Sequence, residues 1–211
     1  MASTWLKNMP WRVIVTLFVS QFSQSCGMSA LIGYLPPLIH RFGIHWVDVG
    51  IYKGMALSLC TATYTASLLA AGCLIDYIGR VKFFIACTLI QAVVMVTSAF
   101  VYNMTCLFTS AILIGFVSCN RIAAKLIAFQ ISNPSIESKV INYGLFVPFN
   151  MGLLLGPSLG GFLVVPADQY SNLFHKGSLF DVFPALLPNI LIGLLLATAF
   201  LLSWGFFVNN F

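Results

Sequence analysis

Long apolar runs separated by short polar breaks set the pattern of this 211-residue chain. Six stretches are long enough to be membrane helices: approximately 13–39, 50–75, 83–102, 107–128, 140–165 and 183–208. A helix needs about 20 apolar residues to cross hydrocarbon, where every backbone polar group must be satisfied within the segment itself. The pattern therefore predicts an all-α integral membrane protein. It predicts one six-helix membrane domain over residues 1–211, with short loops that leave no room for a separate soluble domain.

Composition supports the same solvent. Sixty per cent of residues are apolar and seven per cent charged, and mean hydropathy is +0.97, whereas a soluble domain carries roughly 25% charged residues. The net charge of +5 forms no patch that would hold nucleic acid; it reads as topology. Lys7, Arg12, Arg80, Lys82, Arg121, Lys125 and Lys139 fall on one side of the predicted helices, and Arg41, Lys53 and Lys176 on the other. The positive-inside rule then places both termini in the cytoplasm. Nothing in the chain says which membrane holds it. The apolar run after Lys7 and Arg12 is too long for a signal peptide and lacks a small-residue cleavage site, so an uncleaved first helix is expected. Cysteines 26, 60, 73, 87, 106 and 119 stand singly, with no C-x-x-C pair. No disulfide framework, zinc site, other metal or cofactor is expected from them. Asn103-Met104-Thr105 fits a glycosylation sequon, in a turn too tight to favour its use.

Two helices carry small residues at every fourth position. Helix 2 has Gly54, Ser58, Ala62, Ala66 and Ala70; helix 5 has Gly144, Gly152, Gly156 and Gly160, with Pro148 at the missing step. Such stripes let two backbones approach closely in lipid. They fit either packing within the six-helix bundle or faces meant for something outside it. Three helices, a polar break and three more also match the 3+3 arrangement found in each half of many transporters. This rests on helix count, since residues 11–102 and 105–208 share no residue-level echo.

The loop after helix 2 narrows the reading. Gly72-x-Leu74-x-Asp76-x-x-Gly79-Arg80-x-Lys82 is nearly the only charged stretch in its neighbourhood. Its glycines suit tight backbone geometry, while Asp76 is poorly placed at the C-terminal end of its own helix dipole and wants a partner such as Arg80 or another helix N-terminus. Spacing and setting resemble the cytoplasmic signature loop of the major facilitator superfamily of secondary transporters. A second match, Gly152 through Gly156-Pro157 to Gly160-Gly161, resembles the helix 5 motif of that superfamily's drug and proton antiporter branch. Pro157 removes a backbone hydrogen bond and bends the helix. The run from Gly156 through Pro166, Asp168, Tyr170 and Asn172 to Phe183-Pro184 and Leu187-Pro188 looks like the plant zinc-induced-facilitator-like group, which also aligns over Gly50–Arg80.

The resemblance covers roughly residues 13–208 and implies the N-terminal six-helix half of that fold. It implies transport of a small solute by alternating access, with helices 2 and 5 facing a second six-helix bundle, either another copy or a relative. Departures favour an alternative, a non-transporting protein that acts by associating with a full-length relative. Ala111, Tyr64, Phe149 and Tyr77 stand where the resemblance implies arginine, and all five acidic residues lie at helix ends or in loops. Proton coupling normally needs a titrating group at membrane depth. Polar residues at depth, Gln21, Gln24, Asn120, Arg121 and Asn150, are the candidates for a solute cavity; interhelical hydrogen bonding is the other reading.

Gly156-Pro157-Ser158-Leu159-Gly160 also fits a serine-hydrolase elbow. That elbow needs a strand-to-helix turn and a histidine base at the same depth. Histidines 40, 45 and 175 all fall in predicted outer loops, so no enzyme is expected.

Overall fold

The computed structural model describes residues 11–131, 137–166, 170 and 179–210, and among them no strand occurs. The helices are α1 (Trp11–Arg41), α2 (Trp46–Ile78), α3 (Arg80–Ser98), α4 (Met104–Val117), α5 (Asn120–Ile131) and α6 (Glu137–Ile141). A π-helical turn (Asn142–Phe146) follows, then α7 (Val147–Leu163), the single turn α8 (Leu179–Val182) and α9 (Leu186–Asn210). The chain is an all-α membrane protein.

Five helical stretches are long and apolar enough to cross a bilayer: α2, α3, Met104–Gln130 across α4 and α5, Lys139–Leu163, and Leu186–Phe207. Six were expected. The expected first span lies in α1, whose 31 residues are long enough but which is not among the helices apolar enough. The cause is its polarity: Ser20, Gln21, Ser23, Gln24, Ser25 and Ser29 lie on it, and all are buried. These groups face protein rather than lipid.

The closest pairings are α1 with α7, α2 with α4, and α3 with α9. Counted as spans these are 1–5, 2–4 and 3–6. Exchanging 1 with 4, 2 with 5 and 3 with 6 maps the first two onto each other and the third onto itself, as a 3+3 repeat would. Without a hydrophobic force between helices in lipid, close packing must hold each pair. On α7, a Cβ at Gly152 would meet the Ser25 hydroxyl and, at 2.7 Å, the Phe22 carbonyl; one at Gly156 would meet the Ser29 hydroxyl and, at 2.7 Å, the Cys26 carbonyl. Gly160 abuts the Ala30 backbone, and Gly33 of α1 returns the fit against Pro157. The Ser29 hydroxyl crosses this seam, 2.9 Å from the Gly152 carbonyl. In the second pair, Gly115 of α4 lies against Cys60 and Thr63 of α2. In the third, Phe84 and Phe207 meet edge to face, with ring centroids 6.0 Å apart.

The small-residue stripes therefore part company. Of the two readings of the helix 5 glycines, packing within the bundle describes Gly152, Gly156 and Gly160, because α1 lies against them. On α2, by contrast, Gly54, Ser58, Ala62, Ala66 and Ala70 are all exposed, and a Cβ at Gly54 or Gly72 would meet nothing within 4 Å.

Three breaks refine the predicted elements. The signature loop is barely a loop: α2 runs to Ile78, α3 starts at Arg80, and Gly79 alone makes the turn at φ 94°, ψ 142°. That conformation is closed to residues with a Cβ. The fourth span is interrupted at Ser118–Cys119, between α4 and α5. In the fifth, the π-helical turn precedes Pro148, and the Val147 N–H reaches the Asn142 carbonyl five residues back. Proline lacks an N–H and its ring crowds the carbonyl four residues before it, so the wider turn relieves both defects. At the far end of α1, Arg41 pairs with Asp181 of α8, and His40 stacks on Trp46 with centroids 4.2 Å apart.

Filling the α1–α7 seam is expected to unfold the bundle. Gly156→Leu should lower stability by at least about 1–3 kcal/mol, the ordinary range for overpacking. Ala62→Leu on the bare α2 stripe should leave the single bundle within about 0.5 kcal/mol of wild type, as surface substitutions do. Thermal unfolding in detergent, followed by loss of helical circular dichroism, separates the two.

Candidate functional site

Two depressions take in the signature turn and part of the candidate cavity set. At the α2–α3 turn, Ile75, Asp76, Ile78, Gly79, Arg80, Val81, Lys82 and Gln130 line one of ≈ 600 Å³. Arg80 donates to the Gln130 side-chain oxygen of α5 at 3.4 Å. Its guanidinium thus reaches toward α5, and no ion pair with Asp76 is found among the described residues. Asp76 stays exposed, and Gly72 lies two turns back within α2 on an open face.

The second is a cavity of ≈ 380 Å³ lined by Gln21 of α1, Tyr64 and Leu68 of α2, and Arg121, Ile122 and Lys125 of α5. Ile141, Leu145 and Phe146, from α6 and the π-helical turn, close it. Arg121 also stacks on Phe149 of α7, 3.4 Å from the ring centroid. The cation thus lies close to two positions, 64 and 149, where aromatic residues replace the arginines that the resemblance implies.

Of the five candidate cavity residues, the structure brings only Gln21 and Arg121 to this lining. Gln24 donates to the Ser118 carbonyl at 2.9 Å. The α4–α5 break leaves that carbonyl without an ordinary helical partner, and Gln24 of α1 supplies one. Gln21 donates to Gln24 at 3.3 Å and lies beside the same link. Asn120 donates to the Thr88 hydroxyl at 2.8 Å, tying α5 to α3. Asn150 is exposed and bonds the Phe146 carbonyl of its own helix at 2.8 Å. Interhelical or local bonding therefore describes Gln24, Asn120 and Asn150. Lys125 and Tyr64 are cavity residues that the polar-residue search missed. Their signal is helical spacing: Lys125 follows Arg121 by four, and Leu68 follows Tyr64 by four, so each pair shares a face.

Among the described residues no group of three or more His, Cys, Asp or Glu is arranged to hold a metal. The six cysteines are free. His175, Asp168 and Asn172 lie outside the described residues.

No family model matches the chain. Curated proteins do. Protein zinc induced facilitator 1 of Arabidopsis thaliana is 26% identical over 184 residues, 86% of this chain and 38% of that protein. The major facilitator superfamily multidrug transporter mfsB of Aspergillus fumigatus is 24% identical over 86% of this chain and 30% of its own length. A multi-drug resistance efflux pump PmrA homolog of Lactococcus lactis is 27% identical over 97% of this chain and 47% of its own length. The chain is a multi-pass membrane protein similar in sequence to a multidrug transporter of the major facilitator superfamily and to a multi-drug resistance efflux pump homolog. It spans less than half the length of each relative described.

If Gln24 satisfies the broken backbone at Ser118, Gln24→Leu should destabilise the bundle by about 0.6–1.7 kcal/mol, the scale of interhelical bonds in membranes. Asn150→Leu, which removes only a local bond, should change stability by less than about 0.5 kcal/mol. Unfolding by stepwise addition of sodium dodecyl sulfate measures both.

Proposed function

We propose that this chain is the six-helix N-terminal half of a major facilitator transporter. In this reading α1 is the first of six spans, both termini are cytoplasmic, and a small solute crosses by alternating access between this bundle and a second one. The second bundle docks on α2 and on the α7 face away from the glycine seam, where Leu154 and Phe162 are exposed. The carrying observation is the bare stripe of α2, exposed along the same helix that gives Tyr64 and Leu68 to the cavity. A surface suited to close helix approach has no occupant among the described residues, and the site opens beside it. The signature turn at Gly79 and the transport names of the relatives support the same reading.

A specific feature favours a second reading, association with a full-length relative without transport. Asp48 and Asp76 lie near the ends of α2, Glu137 begins α6 and Asp181 lies in α8, so no described acidic residue sits at mid-span to carry a proton.

The readings differ in what the cavity sees. With the native cysteines replaced and Tyr64→Cys introduced, alternating access predicts labelling by a membrane-impermeant maleimide from both faces in sealed vesicles of either orientation. Labelling from one face only would support the non-transporting reading.

A further inference from the structure

We propose that the cavity between α1, α2, α5 and the π-helical turn is an anion site, built for the carboxylate or phosphate head of a molecule with an apolar body. The inference deepens the transport reading by assigning a ligand class to its cavity, and rests on that reading only for the cavity's place on a solute path. Of the lining residues two are cationic, Arg121 and Lys125, and none is acidic. Arg121 lies within the span Met104–Gln130, nine residues from its end, or roughly 14 Å at 1.5 Å per residue. A charge carried on a membrane-spanning helix needs company or a route to water. What it has is the Phe149 ring at 3.4 Å. Aromatic stacking covers one face of a guanidinium and leaves the N–H edge free for acceptors in its plane, the geometry that suits carboxylate and phosphate.

The rest of the lining sorts by chemistry. Gln21 is 2% exposed and brings an amide; Tyr64 brings a hydroxyl that can donate to an anion. Leu68 and Phe146 offer apolar walls. Phe146 ends a π-helical turn, an irregularity often found where helices are shaped for function. A cation would meet two like charges here with no carboxylate to offset them, and an ion with no apolar part would leave those walls unused.

Such a head could come from a soluble solute or from a membrane lipid, and the test separates them. The purified chain in phosphatidylcholine nanodiscs is titrated calorimetrically with benzoate, with neutral benzamide and with benzylammonium. Benzoate should bind saturably, and Arg121→Gln should weaken it at least about ten-fold, as loss of one charge-assisted bond does. Arg121→Lys should restore part of the affinity. In the lipid arm, native mass spectrometry reads phosphatidylglycerol retained from mixed nanodiscs. Retention by wild type and loss in Arg121→Gln, without benzoate binding, assigns the head to lipid. The proposal is overturned if benzylammonium binds as well as benzoate, or if neither anion depends on Arg121 in variants that melt with the wild type. Benzoate binding without two-sided labelling at position 64 would leave the anion site standing while the transport reading fails; the converse would do the opposite.

Discussion

The close contact of α1 with α7 is the constraint on which the rest depends. In lipid, two helices gain little by hiding apolar surface from each other, so backbone proximity and hydrogen bonds must hold them. Gly152, Gly156 and Gly160 let α7 settle against Ser25, Ser29 and Ala30. This contact gives the polar face of α1 somewhere to go. With Ser25 and Ser29 against α7, and Gln24 turned to the Ser118 carbonyl, the least apolar long helix becomes the most enclosed. The same contact leaves Leu154 and Phe162 of α7 facing outward, apolar enough for lipid or for another bundle.

The α2 helix is the counterpart. Gly115 of α4 holds one side of it through Cys60 and Thr63, while its stripe of small residues remains open. The cavity lies against the same helix, at Tyr64 and Leu68, with the Arg121–Phe149 stack at its side. A bundle packed firmly on one seam and bare on another is the shape expected of one member of a pair. The two-fold pattern of its closest pairings fits that view.

Much of the fold was legible because length and apolarity alone define a membrane helix. The spans centred on α2, α3 and α9 could hardly be anything else, and Gly79 was marked by the charges around it. The breaks were less visible. Nothing in Ser118-Cys119 announces an interruption, since no proline or glycine occupies it, and the Ser118 carbonyl finds its partner across the bundle in Gln24. In the sequence Pro148 is only a step in a stripe, whereas in the fold a π-helical turn precedes it. Periodicity showed that α2 and α7 each have a small-residue face but not what lies against it, because the 3.6-residue repeat fixes direction around a helix and not its neighbours. The same limit governs the site. Gln21 and Gln24 are one turn apart and alike in chemistry, yet one lines the cavity and the other holds a broken backbone. Lys125 shares a helix face with Arg121 by spacing, and only the fold sets that face against Gln21 and Tyr64.

The most direct test of the central claim, that the chain is one bundle with α2 as its outward docking face, is the mass of the particle containing it after gentle extraction from its own membrane. Native mass spectrometry in nanodiscs should find it with a second bundle, at about twice the 23.1 kDa of the chain or more. Filling the stripe with Ala62→Leu and Ala66→Leu should reduce the particle to a single folded chain. A lone 23.1 kDa chain from the unmodified protein, or an assembly indifferent to the α2 substitutions, would contradict the account.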